Sequence, residues 1–376
     1  MATTADYLNK LVTQKNTLAD NLVTKGVDAT HDETLETLVP KVLEISSGGG
    51  GNGIYPIDDT GMPTGDVVVP EGVVTLSKKP FNTNINITSV LLPTSLTSIS
   101  DSCFENCTSL QSVNIPSSVT AIPSYCFSNC TNLTTVHIPS NCISFAQYSF
   151  ASCTKLKNIT MDVNSKYTFE QSCFSRCTSL TNNDVESLLQ KASLVYGYIF
   201  QGCTGITDIT ASYVWTGMFA DCTNLNRVII KTSGSAHNTG DSVFINCTSL
   251  QEVQLAPDTK KIGQQIFYNC SALKTVSLPS TITENTNSCL TSTSSSYYAF
   301  YGCTALEDVQ LGQDWNMSLR LNVSNNLTVD SMVAMFNSLK DLTGTTAKTL
   351  TLGSTNLAKL TDEQKAIAIN KNWTLA

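Results

Sequence analysis

Hydrophobic residues recur along most of this chain with one fixed spacing. Residues 102–116 read SCFENCTSLQSVNIP: a phenylalanine is followed by cysteine three residues later, leucine six later, and apolar residues nine and eleven later. Most or all of these offsets recur in nine segments, most of them about 23 residues apart, which begin at Phe104, Phe127, Phe150, Phe174, Phe200, Phe219, Phe244, Phe267 and Phe300. A unit this short cannot bury its own apolar face, so the period predicts a solenoid of stacked units.

Each unit contains two predicted elements. Triplets such as Val136-His137-Ile138 have the period of two that is typical of a short strand with apolar residues on one face. The Phe-x-x-Cys spacing predicts a turn or 3₁₀ segment that places phenylalanine, cysteine and leucine on the inner side of the coil. We expect the strands of successive units to pair in parallel. Phe81, with Asn84 in the cysteine position, predicts a degenerate first coil.

The repeated motif resembles the leucine-rich repeats of the BspA-like kind, whose consensus places Ala-Phe, Cys, Leu, Ile-x-Ile and Pro at these offsets. The resemblance covers roughly residues 65–315. It implies an α/β solenoid with short parallel strands, and a protein that binds rather than catalyses.

The regions on either side of the repeats have a different pattern. Leucines three to four residues apart and a capping-box sequence predict a helical hairpin near the N-terminus. Helical spacing after Thr328, a strand at 349–352 and a capping box at Thr361 predict a helix–strand cap. The resulting division is a hairpin over 1–46, a glycine-rich linker over 47–53, the solenoid over 54–315 and the cap over 316–376.

Both flanking regions resemble segments of phage proteins. Residues 15–45 are similar to an N-terminal module of phage tail and fibre proteins, and the stretch from Leu339 to Trp373 is similar to a terminal segment of phage tail proteins that carry these repeats. The first resemblance implies that Lys25, Gly26 and Val27 take part in attachment to a virion. It also implies an oligomer, for which we expect a trimer.

Composition narrows the possible partners. The net charge is -8 and only 14% of residues are charged, which argues against a nucleic-acid partner because phosphate binding requires clustered Lys and Arg. We find no signal peptide and no apolar run long enough to span a membrane, so we expect no standard export and no membrane insertion.

The fourteen cysteines are explained by position, since nine of them occupy one slot of the repeat. We expect these thiols to be buried and reduced. The alternatives are incidental disulfide formation between adjacent coils and a zinc site at pairs such as Cys103/Cys107. No second pair or histidine completes a zinc site, and we therefore expect no metal and no cofactor. The three histidines are far apart and no nucleophile–base set can be assembled, so we predict that the protein is not an enzyme.

Irregular units are the places where binding residues are expected, because the regular coils are committed to packing. A predicted helix at 181–189, a Gly/Ser/Asn loop at 231–241 and a Ser/Thr-rich insertion at 281–296 interrupt the period. Aromatic rings beside hydroxyl groups suit stacking on sugars, although such rings also close the core of many proteins. The candidate receptor contacts are Tyr196, Tyr198, Tyr213, Trp215, Tyr297 and Tyr298.

Two functions are compatible with these features. The first is a phage virion structural protein of the tail, baseplate or fibre. It would assemble in the host cytoplasm, join other virion proteins through its N-terminal helices, and bind a host cell-surface glycan or protein. The second is a bacterial BspA-like surface adhesin, which requires export, so the absence of a signal peptide favours the first. An intracellular scaffold is a third hypothesis.

Overall fold

A computed structural model describes residues 63–77, 79–162, 166–231 and 237–376, together with Lys15 and Asn16, which lie in a helix. The rest of the predicted hairpin, including Lys25, Gly26 and Val27, and the predicted linker lie outside the described residues.

Short strands make up most of the regular structure. In chain order the strands are β1 (Gly65–Val68), β2 (Thr75–Leu76), β3 (Ile87–Leu91), β4 (Ser98–Ile99), β5 (Ser112–Val113), β6 (Ala121–Ile122), β7 (Val136–Ile138), β8 (Ser144–Phe145), β9 (Ile159–Met161), β10 (Tyr167–Phe169), β11 (Ala192–Val195), β12 (Asp208–Ala211), β13 (Arg227–Ile230), β14 (His237–Asn238), β15 (Glu252–Gln254), β16 (Thr259–Ile262), β17 (Thr275–Leu278), β18 (Glu284–Asn285), β19 (Asp308–Leu311), β20 (Leu319–Arg320), β21 (Lys348–Thr351) and β22 (Trp373–Leu375).

The strands of the repeats form two rows, and every pair is parallel. The first row contains the predicted apolar triplets in the sheets β1-β3-β5, β7-β9 and β12-β13-β15-β17-β19. Within each sheet, a strand pairs with its equivalent in the next repeat, as Val136 does with Ile159. The predicted parallel stacking of short strands is therefore confirmed.

A second row of strands was not predicted from the sequence. It consists of the sheets β2-β4, β11-β10-β8-β6 and β14-β16-β18. Several of these strands have two residues and a single buried side chain, such as Ile122 in β6. One apolar residue cannot produce a detectable period of two. The predicted loop at 231–241 also needs correction, because His237 and Asn238 form a strand that pairs with β16.

The core contains a continuous stack of phenylalanine rings. Neighbouring ring centroids lie 5.1 to 6.2 Å apart with interplanar angles of 1° to 29°, from Phe81 through the nine repeats to Phe300. These rings are fully buried. The predicted inward placement of the phenylalanines is confirmed, and each ring contacts the equivalent ring of the next repeat.

The repeated cysteines form a second ladder. In nine repeats the cysteine Sγ donates a hydrogen bond to the phenylalanine carbonyl of the preceding repeat, over 3.0 to 3.2 Å. Asn84 plays the same part in the first coil, where its side-chain amide donates to the Pro63 carbonyl over 2.8 Å. All fourteen cysteines are free and buried, as predicted. Cysteine suits this slot because it is small and can still donate.

Within residues 63–376, as far as the structure describes them, α-helices occur at one interruption of the repeats and at the C-terminal end. They are α1 (Asn182–Lys191), α2 (Val329–Ser338), α3 (Ser354–Leu357) and α4 (Asp362–Ile369). Thr181, Thr328 and Thr361 cap α1, α2 and α4 through their side-chain oxygens. The sheet β20-β21-β22 and the packing of α2 against α4 complete the C-terminal part, where the predicted helices and strands are present.

Candidate binding surface

The repeat array is interrupted between residues 181 and 216. Helix α1 occupies the place of the first-row strand in the repeat of Phe174, so no strand continues from β9 to β12. The next repeat, from Phe200 to Phe219, spans 19 residues and contains no strand between β12 and β13, so the second row stops at β11. Both rows of strands are therefore broken at neighbouring positions.

Side chains of α1 replace the missing strand. Asn182 Oδ1 accepts a hydrogen bond from the Thr207 backbone N–H over 2.9 Å, and Glu186 Oε1 accepts from the Thr210 N–H over 2.9 Å. These donors belong to β12 and the residue before it, which would otherwise pair with a strand. The helix thus covers the edge of the sheet without extending it.

Four large side chains are at least partly exposed on two adjacent segments at this interruption. Leu194 and Tyr213 stand six residues before successive repeat phenylalanines, and Tyr196 and Trp215 stand four residues before them. The Tyr198 N–H donates to the Thr216 carbonyl over 2.8 Å, which holds the two segments side by side. We call Leu194, Tyr196, Tyr213 and Trp215 the aromatic patch.

The aromatic patch is accessible although its side chains are large and mainly apolar. Leu194, Tyr196 and Tyr213 are 47%, 50% and 41% exposed, and Trp215 is half-buried. The rings of Tyr213 and Trp215 lie 5.6 Å apart between centroids. The equivalent positions of other repeats carry small or polar residues such as Ser98 and Ser144. An exposed group of large side chains at these positions has the properties of a binding surface.

Glycines allow the segments beneath the aromatic patch to approach closely. A Cβ on Gly240 would lie 2.1 Å from the Thr216 backbone nitrogen and 2.4 Å from the Trp215 carbonyl carbon. Gly217 has φ +60°, and a Cβ there would lie 2.2 Å from Cε1 of Tyr198. The half-buried Tyr198 ring therefore packs against Gly217 beside the patch.

The predicted contact residues separate into three groups. Tyr196, Tyr213 and Trp215 belong to the aromatic patch. Tyr297 is 43% exposed, but it lies three repeats further along the chain. Tyr298 is a correction: it is 3% exposed, its hydroxyl donates to the Arg320 carbonyl over 2.6 Å, and its ring packs in the core. Adjacent residues alternate between surface and interior here, which composition alone could not reveal.

Two stacked tyrosine pairs were missed by the sequence analysis. The rings of Tyr125 and Tyr148 lie 4.9 Å apart, and those of Tyr268 and Tyr301 lie 4.8 Å apart. Each pair occupies equivalent positions of successive repeats. The first pair stands two residues before the repeat phenylalanine, and the second pair stands one residue after it. Reading the polar columns of the aligned repeats would have identified them.

The described residues contain little that points to chemistry. Within them, no group of three or more His, Cys, Asp or Glu side chains is placed to hold a metal ion. Burial raises the pKa of Cys107, Cys142 and Cys289 to about 12, so these thiols are not ionised near neutral pH. None of the helices in the described part of the chain is long and apolar enough to cross a membrane.

A family model for the BspA type leucine rich repeat region matches residues 74–207 and 193–297, which is more than half of the chain. The chain belongs to the BspA-type leucine-rich repeat family. This assignment confirms the resemblance that the phenylalanine, cysteine and leucine offsets indicated. No curated protein sequence matches the chain.

Several solved protein structures are similar to this chain. A leucine-rich repeat protein from Bacteroides ovatus is 20% identical, with 68% of this chain and 92% of that chain covered and a TM-score of 0.27. A leucine-rich cell surface protein from Faecalibacterium prausnitzii is 18% identical, with 70% and 94% covered and a TM-score of 0.33. The pneumococcal vaccine antigen PcpA is 14% identical, with 86% and 92% covered and a TM-score of 0.49.

Proposed function

We propose that this BspA-type protein is a non-enzymatic adhesion protein that binds a cell-surface glycan or protein through the aromatic patch. The observation that carries the proposal is the exposure of Leu194, Tyr196 and Tyr213 at the interruption of the repeats between residues 181 and 216. Large rings supply much contact area with few rotatable bonds, which makes them effective contact residues.

The neighbourhood of the patch suits a glycan or a polar protein surface. Ser193, Ser212 and Thr216 are exposed beside the rings and offer hydroxyl groups. Rings can stack on the apolar face of a sugar while hydroxyl groups bond to its rim. Repeated copies of one weak site on a single particle would raise the overall affinity.

The carrier that we propose is a phage virion, in its tail, baseplate or fibre. This part rests on the N-terminal resemblance over residues 15–45 and on the C-terminal resemblance from Leu339 to Trp373. Residues 1–46 would attach a trimer to other virion proteins, and a solenoid over 54–315 would face the host. The alternative is a bacterial surface adhesin, which is supported by the family and by a similar protein described as a cell surface protein.

The binding role is tested with the labelled full-length protein on a panel of intact bacterial strains. We expect at least one strain to bind, and expect the double substitution Tyr196→Ala/Tyr213→Ala to weaken binding about tenfold or more. Tyr301→Ala, which removes a tyrosine that is 41% exposed outside the patch, is the matched control and should bind normally. Equal binding by the patch variant and the control would contradict the proposal.

The carrier is tested separately. Antibodies against the protein should label the tails of particles released by lysis of the producing culture, and light scattering should give the mass of a trimer for the full chain. Labelling of intact producing cells instead would favour the bacterial adhesin.

A further inference from the structure

A cleft of about 680 Å³ lies between the repeat that begins at Phe267 and the region that leads into the C-terminal cap. One wall comes from residues 280–291, which belong to the Ser/Thr-rich insertion. The other wall comes from residues 314–318 and from two lysines, Lys340 and Lys348. The repeat from Phe267 to Phe300 spans 33 residues, and the additional length forms the first wall. The cleft is large enough for one or two sugar units.

The insertion is held in a defined conformation against the cap. Asn285 Oδ1 accepts from the Leu290 N–H over 3.3 Å, and the Leu290 carbonyl accepts from the Arg320 N–H over 2.9 Å. Asn287 and Ser288 have φ of 49° and 53° around the 3₁₀ segment Thr286–Ser288. The wall is therefore ordered by its own hydrogen bond and connected to the cap through Arg320, and a site there is preformed.

Two positive charges converge on this cleft in a chain whose net charge is -8. The Lys348 ammonium donates to Asn316 Oδ1 over 2.9 Å and to the Asn316 carbonyl, which fixes its position. Partial burial, and then the nearby charge of Lys340, lower the pKa of Lys348. Asp314 is the one carboxylate among the residues that line the cleft, so its lining has a net positive charge.

The remaining lining is built for hydroxyl groups. Thr283, Ser288, Thr291 and Ser318 contribute side-chain hydroxyls, and two asparagines contribute amides. Such side chains both donate and accept hydrogen bonds, as the hydroxyls of a sugar do. A simple inorganic anion would use the lysines and gain nothing from the hydroxyl groups of this wall.

We propose that this cleft binds an acidic saccharide, whose carboxylate lies on Lys340 and Lys348 and whose hydroxyl groups bond to the insertion wall. Lysine supplies the attraction to the carboxylate, and the hydroxyl and amide side chains supply selectivity over simple anions. This site goes beyond the proposed function, because it shares no residue with the aromatic patch. The two proposals can therefore fail independently.

Calorimetry on the full-length protein tests the site with glucuronate, glucose and inorganic phosphate as probes. We expect glucuronate to bind. Glucose and phosphate should each bind with an affinity at least about tenfold lower. Glucuronate affinity should fall as salt increases, because the contact is partly ionic. Phosphate binding as tightly as glucuronate, equal binding of glucose, or no binding of glucuronate at millimolar concentration would overturn the proposal.

Two variants identify the residues. Lys340→Gln should weaken glucuronate binding about tenfold, whereas Lys274→Gln, which removes the same charge from an exposed lysine outside the cleft, should leave it unchanged. Thr283→Val removes one hydroxyl of the opposite wall at an exposed position and should weaken binding while the melting temperature stays constant. Unchanged affinity in both cleft variants would overturn the assignment, and cell binding through the aromatic patch should persist in both.

Discussion

Individual side chains explain why a cysteine stands in every repeat. The thiol of Cys247 donates to the Phe219 carbonyl over 3.0 Å, and the same carbonyl accepts from the Cys222 N–H over 3.2 Å. The thiol therefore saturates a buried acceptor that has two lone pairs. Alanine would fill less space and could not donate, and valine could not donate either.

Replacing a thiol of the cysteine ladder should lower the free energy of unfolding more than replacing a buried thiol outside the ladder. We expect Cys247→Ala to lower the free energy of unfolding by about 1 kcal/mol more than Cys142→Ala, because both lose the same atom and one also loses a hydrogen bond. Urea unfolding followed by circular dichroism measures the difference. Equal losses would show that the ladder bonds contribute nothing.

A second residue-scale feature is a column of left-handed residues. The residue two positions after the repeat phenylalanine has a positive φ in every repeat, as in Asn106, Asn129, Asn246 and Asn269, with φ from 58° to 61°. The Asn129 amide donates to Asn106 Oδ1 over 2.8 Å, so the column also bonds between repeats. Asn, Asp or Gly occupies most of these positions, which is the sequence signal for this turn.

At the scale of elements, the interruption depends on one helix and one short repeat. Helix α1 was predictable, because Thr181 and Asp184 form a capping box that the structure contains. The break in the second strand row was not predictable, since those strands have so few apolar residues. The aromatic patch follows from both changes and could be predicted only as separate aromatic residues.

Gly217 should be intolerant of a side chain because of Tyr198. Alanine at this position would have to adopt a left-handed backbone conformation, which lowers stability by about 1 kcal/mol. Its Cβ would also lie 2.2 Å from the Tyr198 ring. Gly344→Ala is the matched control, since it has φ +79° and nothing within 4 Å of the added Cβ. We expect Gly217→Ala to lower the melting temperature more than the control does, and expect Tyr198→Ser to reduce that excess. A similar loss in both glycine variants would argue against this packing.

For the whole molecule, contacts between neighbouring repeats dominate, and the described core is one continuous cluster from Val67 to Trp373. The repeat class and inward residues were predictable because the offsets recur nine times. The cleft was not predictable, because it joins residues 280–291 to Lys340 and Lys348, and no periodic signal relates segments so far apart. Tyr297 and Tyr298 illustrate the same limit, since only packing distinguishes them.

The buried thiols should make the whole fold sensitive to alkali. Thiols of the unfolded chain ionise near pH 9, whereas burial raises the pKa of Cys107 and Cys289 to about 12 in the folded state. Above about pH 9 the unfolded state loses protons that the folded state keeps, so the free energy of unfolding decreases as pH rises toward 12. Each such thiol contributes at most about 1.4 kcal/mol per pH unit.

We therefore expect the melting temperature to be constant from about pH 7 to 8.5 and to fall steadily above about pH 9. Thermal melts in matched ionic strength measure this dependence. A cysteine reagent at pH 8 should label none of the fourteen thiols in the folded protein and all of them in denaturant. A melting temperature that stays constant to about pH 11 would contradict the burial of the thiols.

The matching of phenylalanine and thiol from one repeat to the next has a consequence for how such a gene can change. Every regular unit presents its phenylalanine ring and carbonyl to the next repeat. Every regular unit also presents its thiol to the carbonyl of the preceding repeat. Recombination that deletes or duplicates a 23-residue unit, such as the one between Phe104 and Phe127, would therefore rejoin compatible ends. The length of the protein can evolve in whole units, whereas the segment between 181 and 216 has no interchangeable neighbour.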